Sequence, residues 1–168
     1  NVTCNYATFL GTSAGQYATN VKHSTGIGCG ALAGTNSTAN SGCYNIAFGM
    51  DSGKTMSTGQ KNTFIGHQSG KSGGGSITGN CNTALGGQAM CNVTSGNLNV
   101  AIGFDAGRDI STSACNVFIG MCAGNNVNSG GSNVAIGPNV EPANAAASCQ
   151  FIIGVGSNKW ICGDSNFN

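Results

Sequence analysis

Nine cysteines, two histidines, five acidic and six basic residues make up the reactive inventory of this 168-residue chain. Their spacing argues against most site chemistry. No Cys-x-x-Cys occurs, and His23 and His67 sit in different coils with no acidic or nucleophilic constellation nearby, so no zinc site or catalytic pair is expected. Asp51 and Asp105, beside Gln68 and Gln88, read as a solvent-facing column too sparse in carboxylates for Ca²⁺. Gly73-Gly74-Gly75 lacks the Lys-Ser/Thr and the helix of a phosphate loop. The expectation is a protein without catalytic group, cofactor or metal.

Composition narrows the class further. Twenty-nine glycines with 7% charged residues would suggest low complexity, but 39% hydrophobic residues are enough to bury a core. A net charge of +1 gives no pull toward nucleic acid or anionic membrane. No apolar run reaches the length of a membrane span. A chain that begins at Asn1, inside the pattern described next, reads as a processed product or a fragment.

The elements that position these residues are repeats. An apolar triplet closed by glycine recurs at Gly11, Gly28, Gly49, Gly66, Gly86, Gly103, Gly120, Gly137 and Gly154, in steps of 17, 21, 17, 20, 17, 17, 17 and 17 residues. The two longer steps mark insertions at Ala33–Ser41 and Lys71–Ser76. A 17-residue unit is short for a strand plus a helix, and regular glycines suit tight corners. The expected fold is all-β: a parallel β-solenoid or β-roll of about nine 17-residue coils, on the order of 40 Å long at one strand spacing per coil. The array covers 1–147, and 148–168 form the last coil and a closing segment.

Two columns carry expectations about contacts. Asn45, Asn62, Asn82, Asn99, Asn116 and Asn133 precede the triplet and are placed to stack as an amide ladder between coils. In the triplet, the outer residues (Val, Thr, Ile, Leu) suit the interior, which turns the middle residue outward. The middle column (Phe9, Phe64, Ala101, Phe118, Ala135 and Ile152 among it) would then be an apolar stripe buried by a second chain. Cys81, Cys115 and Cys149 share the column before the Asn, about 9–10 Å apart and beyond disulfide reach, and read as packing residues. In a three-fold assembly a cysteine cannot pair with its own copies, so an odd total leaves at least one thiol free or linking assemblies. Pairing and redox state stay open.

Units of the form Asn-Thr/Val-Ala-Ile-Gly-x-x-Ala-Leu/Gly, joined by Asn-, Thr- and Gly-rich spacers, resemble the head repeats of YadA-like trimeric autotransporter adhesins and the related repeats of phage and viral tail fibres. The ending Phe151-Ile-Ile-Gly-Val-Gly-Ser-Asn-Lys-Trp160 is similar to the segment closing such arrays, commonly ahead of a trimerisation domain. The resemblance implies a homotrimeric fibre; the cysteine content departs from it.

These readings give a structural and adhesive fibre segment, a tail fibre or surface adhesin that is extracellular or on a virion. It would be a rod for attachment to a host surface receptor, with a glycan among the candidates, and without nucleic acid or membrane insertion. Candidate receptor-contact loops are the insertions, with Thr35, Asn36, Ser37, Lys71, Ser72 and Gly74. Asn1, Asn36 and Asn92 head glycosylation sequons. Two rivals are a self-assembling extracellular filament and an ice-binding or other flat-surface solenoid using Thr8, Thr25, Thr63 and Thr83.

Overall fold

A computed structural model of the chain describes residues 6–164; Asn1 and Cys4 lie outside the described residues. The strands are β1 (Thr8–Leu10), β2 (Thr25–Ile27), β3 (Ile46–Phe48), β4 (Thr63–Ile65), β5 (Thr83–Leu85), β6 (Val100–Ile102), β7 (Val117–Ile119), β8 (Val134–Ile136), β9 (Phe151–Val155) and β10 (Asn158–Gly163). They form one sheet in sequence order. From β1 to β9 every pair is parallel and in strict register, as in Val100↔Val117, Ala101↔Phe118 and Ile102↔Ile119. This is a β-solenoid of about nine turns, with no helix among the described residues. β10 folds back antiparallel on β9 and ends the sheet.

Each coil hydrogen-bonds to the next at several points around its circumference. Val100 N donates to Asn116 O (2.8 Å) and Gly120 N to Ile102 O (2.8 Å) on the strand side, and Gly107 N to Ala123 O (2.9 Å) at the following corner. The corners bend through left-handed residues such as Leu98 (φ 59°), Asp105 (φ 55°) and Gly107 (φ 55°). Non-glycine residues accept this conformation at a cost the coil-to-coil bonds offset.

The triplet faces the opposite way from the sequence expectation. Phe64, Ala101, Phe118 and Ala135 are fully buried and Ile152 nearly so, while Phe9, in the first described coil, packs half-buried against the same core. The middle column is therefore the core of a single chain, not a surface. Parity supplies the reason. The Asn of each unit and the middle residue are two positions apart on an extended segment, so they share a face. The amide ladder has to be inside, and the middle column goes with it.

Large and small core residues face each other in several coils. Where the middle residue is Phe, the residue six positions on is Gly: the Phe64 ring lies where a Gly70 Cβ would stand, 2.4 Å from Cδ1, and Phe118 covers Gly124 likewise at 2.5 Å. Where the middle residue is Ala84, that later position is the buried Met90. Where both are small, as at Ala101 and Gly107, another inward side chain, Ile110, fills the space beside the glycine. A third inward column, including Met56, Ile77, Val93, Ile110 and Val127, closes the core.

Candidate functional site

The amide ladder occupies the coil interior. Asn45, Asn62, Asn82, Asn99, Asn116 and Asn133 are all fully buried. Each Oδ1 accepts from the next coil: Asn62 Nδ2 reaches Asn45 Oδ1 (3.2 Å), Asn82 Nδ2 reaches Asn62 Oδ1 (3.1 Å), and Asn116 Nδ2 reaches Asn99 Oδ1 (3.0 Å). The backbone N–H of Asn133 continues the series onto Asn116 Oδ1 (2.9 Å). Ser24 begins the ladder, its Oγ accepting from Asn45 N, and Gln150 ends it on Asn133 Oδ1. These groups are satisfied within the chain, so the ladder is scaffold.

Two surfaces remain as candidates for function. The first is the outer face of the sheet. Since the middle residues point in, the first and third residues of each triplet point out: Leu10 is 65% exposed, Phe48 54%, Ile46 47% and Leu85 45%. The third-residue column is apolar in every coil, from Leu10 through Ile27, Phe48 and Ile65 to Ile153. Met50, Phe104 and Met121, just past the anchor glycine, widen the face on one side. On the other side stand Tyr44 and Leu98, in line with the exposed Cys81, Cys115 and Cys149. Those three cysteines are at a surface corner and do not pack in the core as expected. Tyr6, His23 and Tyr44 of the same line stack with ring centroids 5.1 Å apart, one ring per coil. The eight described cysteines carry free thiols.

The outward Thr column changes one rival. Thr8 is exposed and Thr25, Thr63 and Thr83 half-buried on this face, not interior. They give way to Val100, Val117 and Val134, and the neighbouring column carries Phe48 among smaller aliphatics. The face is apolar and uneven, and lacks a regular hydroxyl rank.

The second surface joins the two insertions. Although an uninterrupted coil separates them in sequence, the fold brings them to one side, where they wall a groove of about 220 Å³. Thr35, Ser37 and Thr38 line it from the first insertion, Ser72 to Ser76 from the second, and Thr55 from the coil between. Of the candidate contact residues, Thr35, Ser37, Ser72 and Gly74 meet here; Asn36 is exposed beside it, and Lys71 turns away to Asp51 (3.7 Å). Thr55 was not legible as a site residue, because nothing in an ordinary coil shows which neighbouring loops will fold over it. The Asn92 sequon is committed elsewhere: its Nδ2 donates to Asp109 Oδ1 (2.8 Å).

Six charged residues pair in two groups. Asp51 pairs with Lys54 (3.0 Å) as well as Lys71, and Arg108 with Asp109 (3.3 Å) and Asp105 (3.9 Å). Asp105 is buried, not solvent-facing, because its corner turns under the next coil; its Oδ1 has no hydrogen-bond partner among the described residues. Burial, reinforced by Asp105, pushes the nearby Cys91 thiol up and so keeps it protonated. No group of three or more His, Cys, Asp or Glu among the described residues is placed to hold a metal ion.

Glu141 caps the last turns, accepting from Asn125 N (2.9 Å) and Asn126 N (3.4 Å). Burial raises its carboxyl above the ordinary 4.5, although those two N–H donors oppose the shift. The native state thus holds this proton to higher pH than the unfolded chain does. Its contribution to stability is greatest in acid and declines as pH rises through the ordinary value to the raised one. Between about pH 4 and pH 7, the wild-type melting temperature should fall relative to that of Glu141→Gln, whose uncharged carbonyl can keep the Asn125 bond. Thermal melts of both proteins across that range check this; parallel curves would remove Glu141 from the account.

No family model, curated protein or solved structure matches the chain. Its own surfaces carry the functional reading.

Proposed function

We propose that this chain is a structural segment of an extracellular or virion-borne attachment fibre, in which three copies associate around their exposed sheet faces. The carrying observation is the unbroken outward column from Leu10 to Ile153, which a solitary rod would have no reason to keep apolar. Nine coils at about 4.8 Å and a width near 20 Å give a face on the order of 800 Å² per chain, the size of a standard protein interface. Rods set parallel about a common axis bring each coil against the same coil of its neighbours. Such a cyclic arrangement closes and leaves the inserted loops outside, as attachment requires. The role is mechanical and adhesive, with no chemistry of its own.

Light scattering tests this directly. The wild-type chain should have the mass of a trimer, with or without reductant. Ile102→Lys with Ile119→Lys should give a folded monomer, because two charges per chain cannot be buried unpaired at the interface. A monomeric wild type would overturn the proposal. A mass that grows without limit with concentration would instead favour the filament.

A further inference from the structure

We propose that the groove between the two inserted loops binds one ring of an uncharged saccharide. The groove lies within a single chain and belongs to the half of the coil away from the strands, so it exists whether or not the sheet faces associate. Every side chain lining it is a hydroxyl, and the remaining wall is the Gly73–Gly75 backbone. About 220 Å³ is room for a single hexose.

The hydroxyls are held in place by backbone. Thr35 Oγ1 accepts from Thr38 N (2.9 Å) and lies 3.2 Å from Ser37 Oγ. Across the groove, Ser72 Oγ accepts from Gly75 N (3.0 Å), and Thr55 Oγ1 donates to Gly75 O (3.0 Å). Each keeps capacity to spare: Ser72 has a proton to give and Thr55 has lone pairs to offer. A ligand that filled this space with hydrocarbon would leave that spare capacity unmet and shut off from water, which is costly. An anion would find no cation, since Lys71 at the edge is directed to Asp51 and Asp51 is also held by Lys54. Matched donors and acceptors on a rigid uncharged ring are what remain, and a sugar supplies both. No aromatic ring lines the groove to stack on, so one site binds weakly, with avidity supplied by several copies on one fibre.

Gly74 makes the test clean. A Cβ there would meet nothing within 4 Å, so Gly74→Leu adds bulk at a lining residue without a clash. Saturation-transfer NMR would use the intact chain with methyl glycosides of glucose, galactose, mannose and N-acetylglucosamine, and with N-acetylneuraminic acid as the charged comparison. At least one neutral glycoside should bind, at about millimolar strength, and Gly74→Leu should weaken it at least about tenfold while the melting temperature stays unchanged. The inference fails if no neutral glycoside gives a signal, if the charged sugar binds better, or if Gly74→Leu binds as the wild type does. Mass measured on the same samples reports association separately, so failure here and failure of the fibre reading are distinguishable.

Discussion

Asn99→Ala should destabilise the solenoid by about 3–5 kcal/mol, because it opens the amide ladder at its centre. Asn99 Nδ2 donates to Asn82 Oδ1 (3.1 Å) and to Ser113 O (2.9 Å), and its Oδ1 accepts from the backbone and side-chain nitrogens of Asn116 (both 3.0 Å). Alanine leaves those groups buried without water or replacement, at roughly 1–3 kcal/mol for each one stranded. The melting temperature should fall by roughly 10 °C for a chain of this length. In a quasi-one-dimensional array the break should also uncouple the flanking coils, so that the melt broadens or splits. Asn99→Asp provides the control. It preserves shape and the accepting oxygen, but sets a carboxylate oxygen against Ser113 O and Asn82 Oδ1. It should be as damaging as alanine at neutral pH and partly recover in acid, when the carboxyl regains a proton to donate. A loss below about 1 kcal/mol for Asn99→Ala would mean the ladder is ornamental.

Gly103→Ala should cost as much or more. Gly103 sits at φ 135°, and a Cβ there would lie 2.5 Å from the carbonyl oxygen and 2.6 Å from the carbonyl carbon of Gly120 in the next coil. The obstacle is backbone, which cannot swing aside as a side chain can. The coils would have to part exactly where Gly120 N donates to Ile102 O at 2.8 Å. Backbone strain of about 1–3 kcal/mol, added to the broken stacking, gives roughly 4 kcal/mol or more. Gly107→Ala is a useful comparison: its φ of 55° is one that Leu32 (52°) and Met90 (52°) adopt at the equivalent corner. There the nearest atom is the Ile110 Cδ1 tip at 2.7 Å, which can rotate. Chemical denaturation should rank Gly103→Ala well below Gly107→Ala; equal losses would show that coil approach is not what the anchor glycine protects.

The period, the strands and the ladder were legible in the residues because each depends on local chemistry repeated in place. All nine triplets read from the spacing are strands, and the Asn column lies one above another. The hairpin of β9 and β10 was not legible, since it breaks the pattern that made the rest readable. The outward direction of the triplet does not show in its own residues, for a definite reason. In Val100-Ala101-Ile102 all three residues are apolar, and a three-residue strand has no polar alternation to show which face meets water. Only Asn99, one position earlier, holds that information, through the parity it shares with Ala101.

By itself, then, the sequence determined a stacked β-coil and the residues that bind coil to coil, because a repeat writes the same short-range requirement nine times. Tertiary structure alone decided that Thr35, Thr55 and Ser76 stand around one groove. That fact depends on how far each coil turns before the next begins. That turn is the sum of many corner angles, and no single residue type specifies it.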